Sequence, residues 1–194
     1  MSLAYGSSAS AVSFDGNTRY IRITDINDDG TLNENKVSAS EINEKYILNN
    51  GDILFARSGA TVGKTFIYNE NDGNCMYAGY LIRFIADSSK VLPGYVYHCT
   101  KSTVYRAFVD KNRSIASQPN INAQQYSRLR IPIPPLEEQA CIVEILNKFD
   151  ALTTDLTAGL PAEIAARQKQ YEYYRDKLLT FPAKQDTANV TTNS

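Results

Sequence analysis

The stretch that most limits how this chain can fold starts at Ile131-Pro132-Ile133-Pro134-Pro135-Leu136-Glu137-Glu138-Gln139 and reaches about Phe181. The prolines forbid helix ahead of it, Pro135 suits a first helical position, and Glu137 and Glu138 place negative charge in the first turn. Beyond that start, Ile142, Ile145, Phe149, Leu152 and Leu156 recur at spacings of three and four, the stripe of a helix that pairs with another. The rhythm breaks at Gly159-Leu160-Pro161 and resumes with Leu160, Ile164, Tyr171, Tyr174 and Leu178, Arg167 being the one charged residue in register; Pro182 stops it. The plain reading of one such stripe is packing on its own domain. Length argues for more, because about 45 residues at 1.5 Å each outreach a small domain. Either the arm folds back as a helical hairpin at Gly159, or its stripe faces another chain.

The 194 residues suffice for one ordinary core plus this appendage. No apolar run approaches the length of a membrane span, and Met1-Ser2-Leu3-Ala4 lacks the features of a signal peptide, so a cytoplasmic protein away from membranes is expected. Cys75, Cys99 and Cys141 are scattered and read as reduced thiols; no pair has metal-ligand spacing, and no metal site is expected. His98, the lone histidine, falls among core residues of a predicted helix and is most simply structural, which leaves no catalytic constellation. The net charge of -1 does not advertise nucleic acid. Its distribution softens this: Lys and Arg number 14 against 12 Asp and Glu over residues 1–136, and 6 against 9 over 137–194.

In chain order, residues 1–17 read as loop. Thr18 to Ile26 alternates Tyr20, Arg22 and Thr24 against Ile21 and Ile23, the period of a half-buried strand. A short helix is expected over Ser40–Tyr46, and strands over Ile53–Ala56, Thr65–Tyr68, Tyr77–Ile85 and Leu129–Ile133. A helix is expected from Pro93 to about Asp110, burying Tyr97, Val104, Ala107 and Phe108. Together these predict an α+β fold: a mixed-sheet domain over residues 1–134, a long amphipathic helical arm over 135–182, and a disordered polar tail over 183–194.

Two loops carry the chemistry. Gly59 to Thr65, GATVGKT, has three residues where a P-loop needs four between its glycine and the Gly-Lys pair, and strand rather than helix follows, so nucleotide hydrolysis is rejected. A glycine-rich hairpin without function is one reading. The other is close approach to a phosphate backbone, with Arg57, Ser58, Thr61 and Lys64 supplying cations and hydroxyls. Ser117, Gln118, Asn120 and Asn122 concentrate groups that can read base edges, though turn and cap chemistry alone accounts for such a composition.

The segments YIRITDI (20–26), GDILFARSGATVGK (51–64), SQPNIN (117–122), IPIPPLEEQ (131–139) and LPAEIAARQKQYEYYRDKLLTFP (160–182) resemble, in order, the specificity (S) subunits of type I restriction-modification systems. The resemblance implies a non-catalytic target recognition domain reading one half of a split site in double-stranded DNA, followed by a helical spacer that forms a coiled coil. It implies docking of methyltransferase subunits, which use S-adenosylmethionine, and of restriction subunits, which use ATP and Mg; this chain needs no cofactor. One recognition unit stands where the family has two, and against the family's pattern the first strand of the domain is expected to be missing. The two loops are then expected to straddle DNA on one face, with Arg22, Lys101, Lys111 and Arg113 as further phosphate contacts. Two copies would join as a homodimer through the stripe Ile142 to Leu178. A helix-mediated assembly module that no longer binds DNA is the alternative.

Overall fold

The computed structural model describes residues 2–114, 118–155 and 161–181. Its eight strands are β1 (Ser2–Tyr5), β2 (Ala11–Ser13), β3 (Arg19–Ile21), β4 (Val37–Ala39), β5 (Ile53–Ala56), β6 (Thr65–Ile67), β7 (Cys75–Tyr77) and β8 (Leu81–Ile85). The helices are α1 (Pro93–Cys99), α2 (Thr103–Asn112), α3 (Ala123–Tyr126), α4 (Leu136–Asp155) and α5 (Pro161–Leu179). The central sheet is antiparallel, in the order β1-β8-β5-β6, with Phe55 opposite Ile82 and Ile53 opposite both Phe84 and Ile67. Two smaller ribbons flank it, β2 with β4 antiparallel and β3 with β7 parallel.

The unbroken apolar run of β5 follows from burial on both sides. Ile53 and Phe55 enter a cluster with Tyr95, Tyr105, Tyr126 and Ile142 from the helices. Leu54 and Ala56, pointing the other way, enter a second cluster with Ile21, Ile26, Phe66 and Tyr77.

Several expectations need correction. Residues 2–5 are not loop: Ser2 to Tyr5 pair with Ile85 to Ile82, and Leu3 packs on the core. The strand expected over Thr18–Ile26 stops after Ile21, because the Asp25 carboxylate accepts the Arg22 N–H at 2.8 Å and closes a 3-10 turn over Ile23–Asp25. Tyr20, assigned to the polar face, is buried, its hydroxyl donating to the Ser7 and Ala9 carbonyls. No helix covers Ser40–Tyr46; Ile42 stays exposed, and only a 3-10 turn, Glu44–Tyr46, forms behind the cap of Asn43. The strand over Tyr77–Ile85 is two strands, since the chain leaves the β3–β7 ribbon at Ala78-Gly79-Tyr80 and enters the central sheet. Gly6 and Gly79 allow the crossing strands to touch through backbone alone.

The helix over 93–110 breaks at Thr100–Ser102, where the Ser102 hydroxyl accepts the Tyr105 N–H and caps α2. The break resets the phase, so Tyr95, Val96, Cys99, Tyr105 and Val109 are buried, Tyr97 and Phe108 only partly, and Val104 and Ala107 are exposed. Leu129–Ile133 forms no strand and pairs with none among the described residues; the Tyr95 hydroxyl donates to the Pro132 carbonyl at 3.0 Å. The arm begins one residue after Pro135, whose carbonyl accepts the Gln139 N–H.

Of the two courses open to the arm, α5 takes the return along α4. Phe149 lies against Tyr171 and Tyr174, with ring centroids at 6.2 and 6.3 Å, and Ile142, Leu146, Tyr171 and Leu179 share one cluster with the sheet and α1. The main apolar cluster therefore runs across residue 134. Ile145 and Leu178 are half-buried, whereas Leu152 and Tyr174 remain exposed. Ser117, Leu156, Gly159, Leu160 and the tail over 183–194 lie outside the described residues, as does the side chain of Ile164.

Candidate nucleic-acid interface

Two loops meet at the end of β5. The first leaves β5 at Arg57 and turns through Gly59 and Gly63, at φ 70° and 90°, into β6. Left-handed backbone at both positions is why glycines stand there. The second, Gln118 to Asn122, leads into α3. They are hydrogen-bonded to each other: the Gly59 N–H donates to the Pro119 carbonyl and the Ile121 N–H to the Arg57 carbonyl, each at 2.9 Å, with Ser58 bridged to Asn120. The Ser114 hydroxyl accepts the Asn120 N–H at 3.1 Å, and Gln125 Nε2 donates to the Asn112 carbonyl at 3.1 Å, which ties the end of α2 to the same place. Arg57, Ser58, Gln118 and Asn120 are thereby brought together, with Lys111 and Arg113 beside them.

Arg57 is the cation at this junction. Its guanidinium lies 4.9 Å from the centroid of the Tyr5 ring. No carboxylate pairs with it among the described residues, and Nε is buried without a hydrogen-bond partner, as is the Ser58 hydroxyl behind it. A guanidinium held on a ring but not paired is oriented without being neutralised, so its charge is left for an anion. Tyr80 stands beside the loop, 59% exposed, its carbonyl accepting the Arg57 N–H at 3.1 Å.

The other nominated residues divide. Thr61 closes the first loop by donating to the Ser58 carbonyl at 3.1 Å. Lys64 turns to Asp28, 2.8 Å away, which holds that carboxyl below its usual range, and donates to the Ile26 carbonyl. Lys101 donates to the Asp29 carbonyl at 3.2 Å and lies 4.7 Å from the Tyr97 ring; burial pulls its ammonium down to about 8. These two lysines hold the turn Asn27–Gly30 and do not join the Arg57 junction. Arg22 is chelated by the buried Asp25 at 2.8 and 3.1 Å. Lys111 and Arg113 are exposed, Arg113 paired with exposed Asp110 at 3.2 Å, an interaction that a ligand can displace at little cost. Asn122 caps α3 by accepting the Gln125 N–H at 2.8 Å, the plain cap chemistry.

Tyr5 and Tyr80 are functional candidates that the sequence does not point to. Tyr5 sat in a stretch read as loop and Tyr80 inside an expected strand; Gly79 before it was the available signal of a turn. His98 is buried between α1 and α4, 2.9 Å from Asn147 Oδ1, and burial lowers its pKa. Among the described residues no cluster of three His, Cys, Asp or Glu is arranged to hold a metal, and no helix is long and apolar enough to cross a membrane.

The family model for the type I restriction modification DNA specificity domain matches residues 6–166. The type I restriction enzyme EcoR124I/EcoR124II specificity subunit of Escherichia coli is 41% identical over 111 residues, 56% of this chain and 27% of that protein. A putative type I restriction enzyme specificity subunit of Haemophilus influenzae is 37% identical over 142 residues, 73% of this chain and 35% of its own length. Among solved structures, a chain of a type I R-M system aligns with a TM-score of 0.62 at 20% identity, covering 91% of this chain and 43% of that one. The S subunit from M. genitalium aligns at 0.59 and 16% identity, covering 81% and 38%. The chain thus spans about a third of these relatives and under half of the solved chains, and the structural likeness bears on fold alone.

Proposed function

Because the chain belongs to the type I restriction modification DNA specificity domain family, we propose that it recognises one half of a split target in double-stranded DNA on behalf of a type I restriction-modification complex, itself catalysing nothing. The observation that supports this most is the hydrogen-bonded junction of the two loops around an unpaired Arg57. Arg57 holds a phosphate, Lys111 and Arg113 reach flanking ones, and the Gln118 and Asn120 amides read base edges in the groove, the N6/N7 edge of adenine being their natural partner.

Arg57→Ala tests this: the slope of log K against log salt for duplex binding should fall by about one. An unchanged slope in a folded variant would move the binding face elsewhere.

The arm is the docking surface for methyltransferase and restriction subunits, which bring S-adenosylmethionine, ATP and Mg, all in the cytoplasm. It also joins two copies into a homodimer that reads two half-sites. With Ile142, Phe149, Tyr171, Tyr174 and Leu178 engaged inside the hairpin, the large apolar side chains of the arm that stand exposed for a partner among the described residues include Leu152 and Tyr173. Sedimentation of a monomer at high concentration would sink the dimer. The engagement of Arg22, Lys64 and Lys101 within the chain favours a second reading, an assembly module without DNA binding. Complex formation with the methyltransferase but no methylation of any duplex would select it.

A further inference from the structure

A second polar cavity lies away from the Arg57 junction, beyond the free edge of β6. Its volume is about 430 Å³, and Arg19, Lys36, Thr31, Asn69, Asn71 and Asp72 supply its polar lining. Arg19 is 7% exposed, an unusual place for a guanidinium without a carboxylate. Its Nη2 donates to the Asn33 carbonyl at 2.6 Å. Nε is buried without a partner, and Nη1 has none among the described residues. Lys36, on the rim, has only the Phe14 ring, 5.8 Å from Nζ to the centroid. Neither cation is ion-paired among the described residues. Asp72, the one carboxylate on the wall, is turned to its own loop, where it accepts the Asn69 N–H at 3.0 Å.

The plain role of Arg19 is to hold the Asn33 carbonyl. A neutral amide would do that, and it would not leave a buried charge, with Nε and Nη1 both unpartnered, in the wall of a cavity. Two cations outnumber one inward-turned carboxylate, and the amides of Asn69 and Asn71 can add donors. We infer that this cavity is an oxyanion site, taking a phosphate group between Arg19 and Lys36. The same group can arrive as free phosphate or as a phosphodiester of bound DNA. Only the second source rests on the DNA-recognition reading.

Lys36 is exposed, so Lys36→Gln should fold like the parent, whereas Arg19→Gln risks the Asn33 contact. Full-length parent and Lys36→Gln are melted in sodium phosphate and in sodium chloride of equal ionic strength. At tenfold above its Kd, phosphate should raise the parent Tm by about 3–6 °C more than chloride does, and the variant should lose most of that difference. General salting-out by phosphate would act on both alike. Duplex binding separates the sources: a salt slope lower by about one in the variant marks a phosphodiester, and an unchanged slope beside a lost phosphate response marks the free anion. If the chain binds no DNA at all, the melting comparison alone decides. Equal phosphate responses with no change in slope would overturn the site.

Discussion

Replacing Gln139 should cost more stability than replacing any charged residue at the chain's surface. Its side chain is fully buried and uses three hydrogen bonds: Oε1 accepts the Leu92 N–H at 2.8 Å, and Nε2 donates to the Lys90 carbonyl at 3.1 Å and the Pro134 carbonyl at 2.8 Å. These join the entry of α1 to the entry of α4. At about 1 kcal/mol net each, with a further penalty for groups left dry, Gln139→Ala should lose about 3–4 kcal/mol. That is about 6–16 °C in Tm for a chain of this size. Urea unfolding followed by circular dichroism measures it. Gln139→Glu sharpens the test, because it keeps the acceptor for Leu92 but sets a carboxylate against two carbonyls. Its pKa should rise above the unfolded value of about 4.3, so the variant's stability is full below that pH and is lost as pH climbs through the raised value. A loss under about 1 kcal/mol for the alanine variant, or a pH-independent glutamate variant, would refute this account of the clamp.

His98 is the only histidine, so its ring protons can be followed alone by NMR. With its folded pKa held below 6.5 by burial, the unfolded chain binds the extra proton, and stability should be full above about pH 6.5 and decline as pH falls toward the folded value; a titration at or above 6.5 would contradict the burial argument. Gly63→Ala should cost about 2 kcal/mol, since its φ is 90° and a Cβ would meet Val109 at 2.8 Å; a neutral result in chemical denaturation would show that the loop can shift without loss. Lys64→Ala should change stability by no more than about 1 kcal/mol, because its partner Asp28 is 94% exposed.

What could be read from the residues was what local rules decide. Pro135 and the two glutamates marked the entry of α4 to within one residue, and the all-apolar β5 and the strand after Lys64 were plain from composition and turn chemistry. The arm's stripe was visible, but two geometries satisfied it, and only Phe149 meeting Tyr171 and Tyr174 decides for the return. Elements decided by distant partners were not legible. β1 is a strand because β8 is there to pair with, and residues 77–85 divide because β7 runs parallel to β3 while β8 does not. The same holds for charge. Arg22 meets Asp25 three residues on, a pairing that spacing allows one to suspect, but nothing near Lys64 in sequence announces Asp28, and nothing announces that Arg57 would find a ring in place of a carboxylate.

The hairpin touches the rest of the molecule at both ends. Gln139 fixes its outgoing helix, and on the return Asp176 accepts from the Thr103 hydroxyl at 2.9 Å and the Thr103 N–H at 3.4 Å, at the head of α2. A body hung from one point can swivel, but one bolted at two cannot. Each helix of the hairpin therefore passes its load into the domain through its own bolt, α4 into the entry of α1 and α5 into the head of α2.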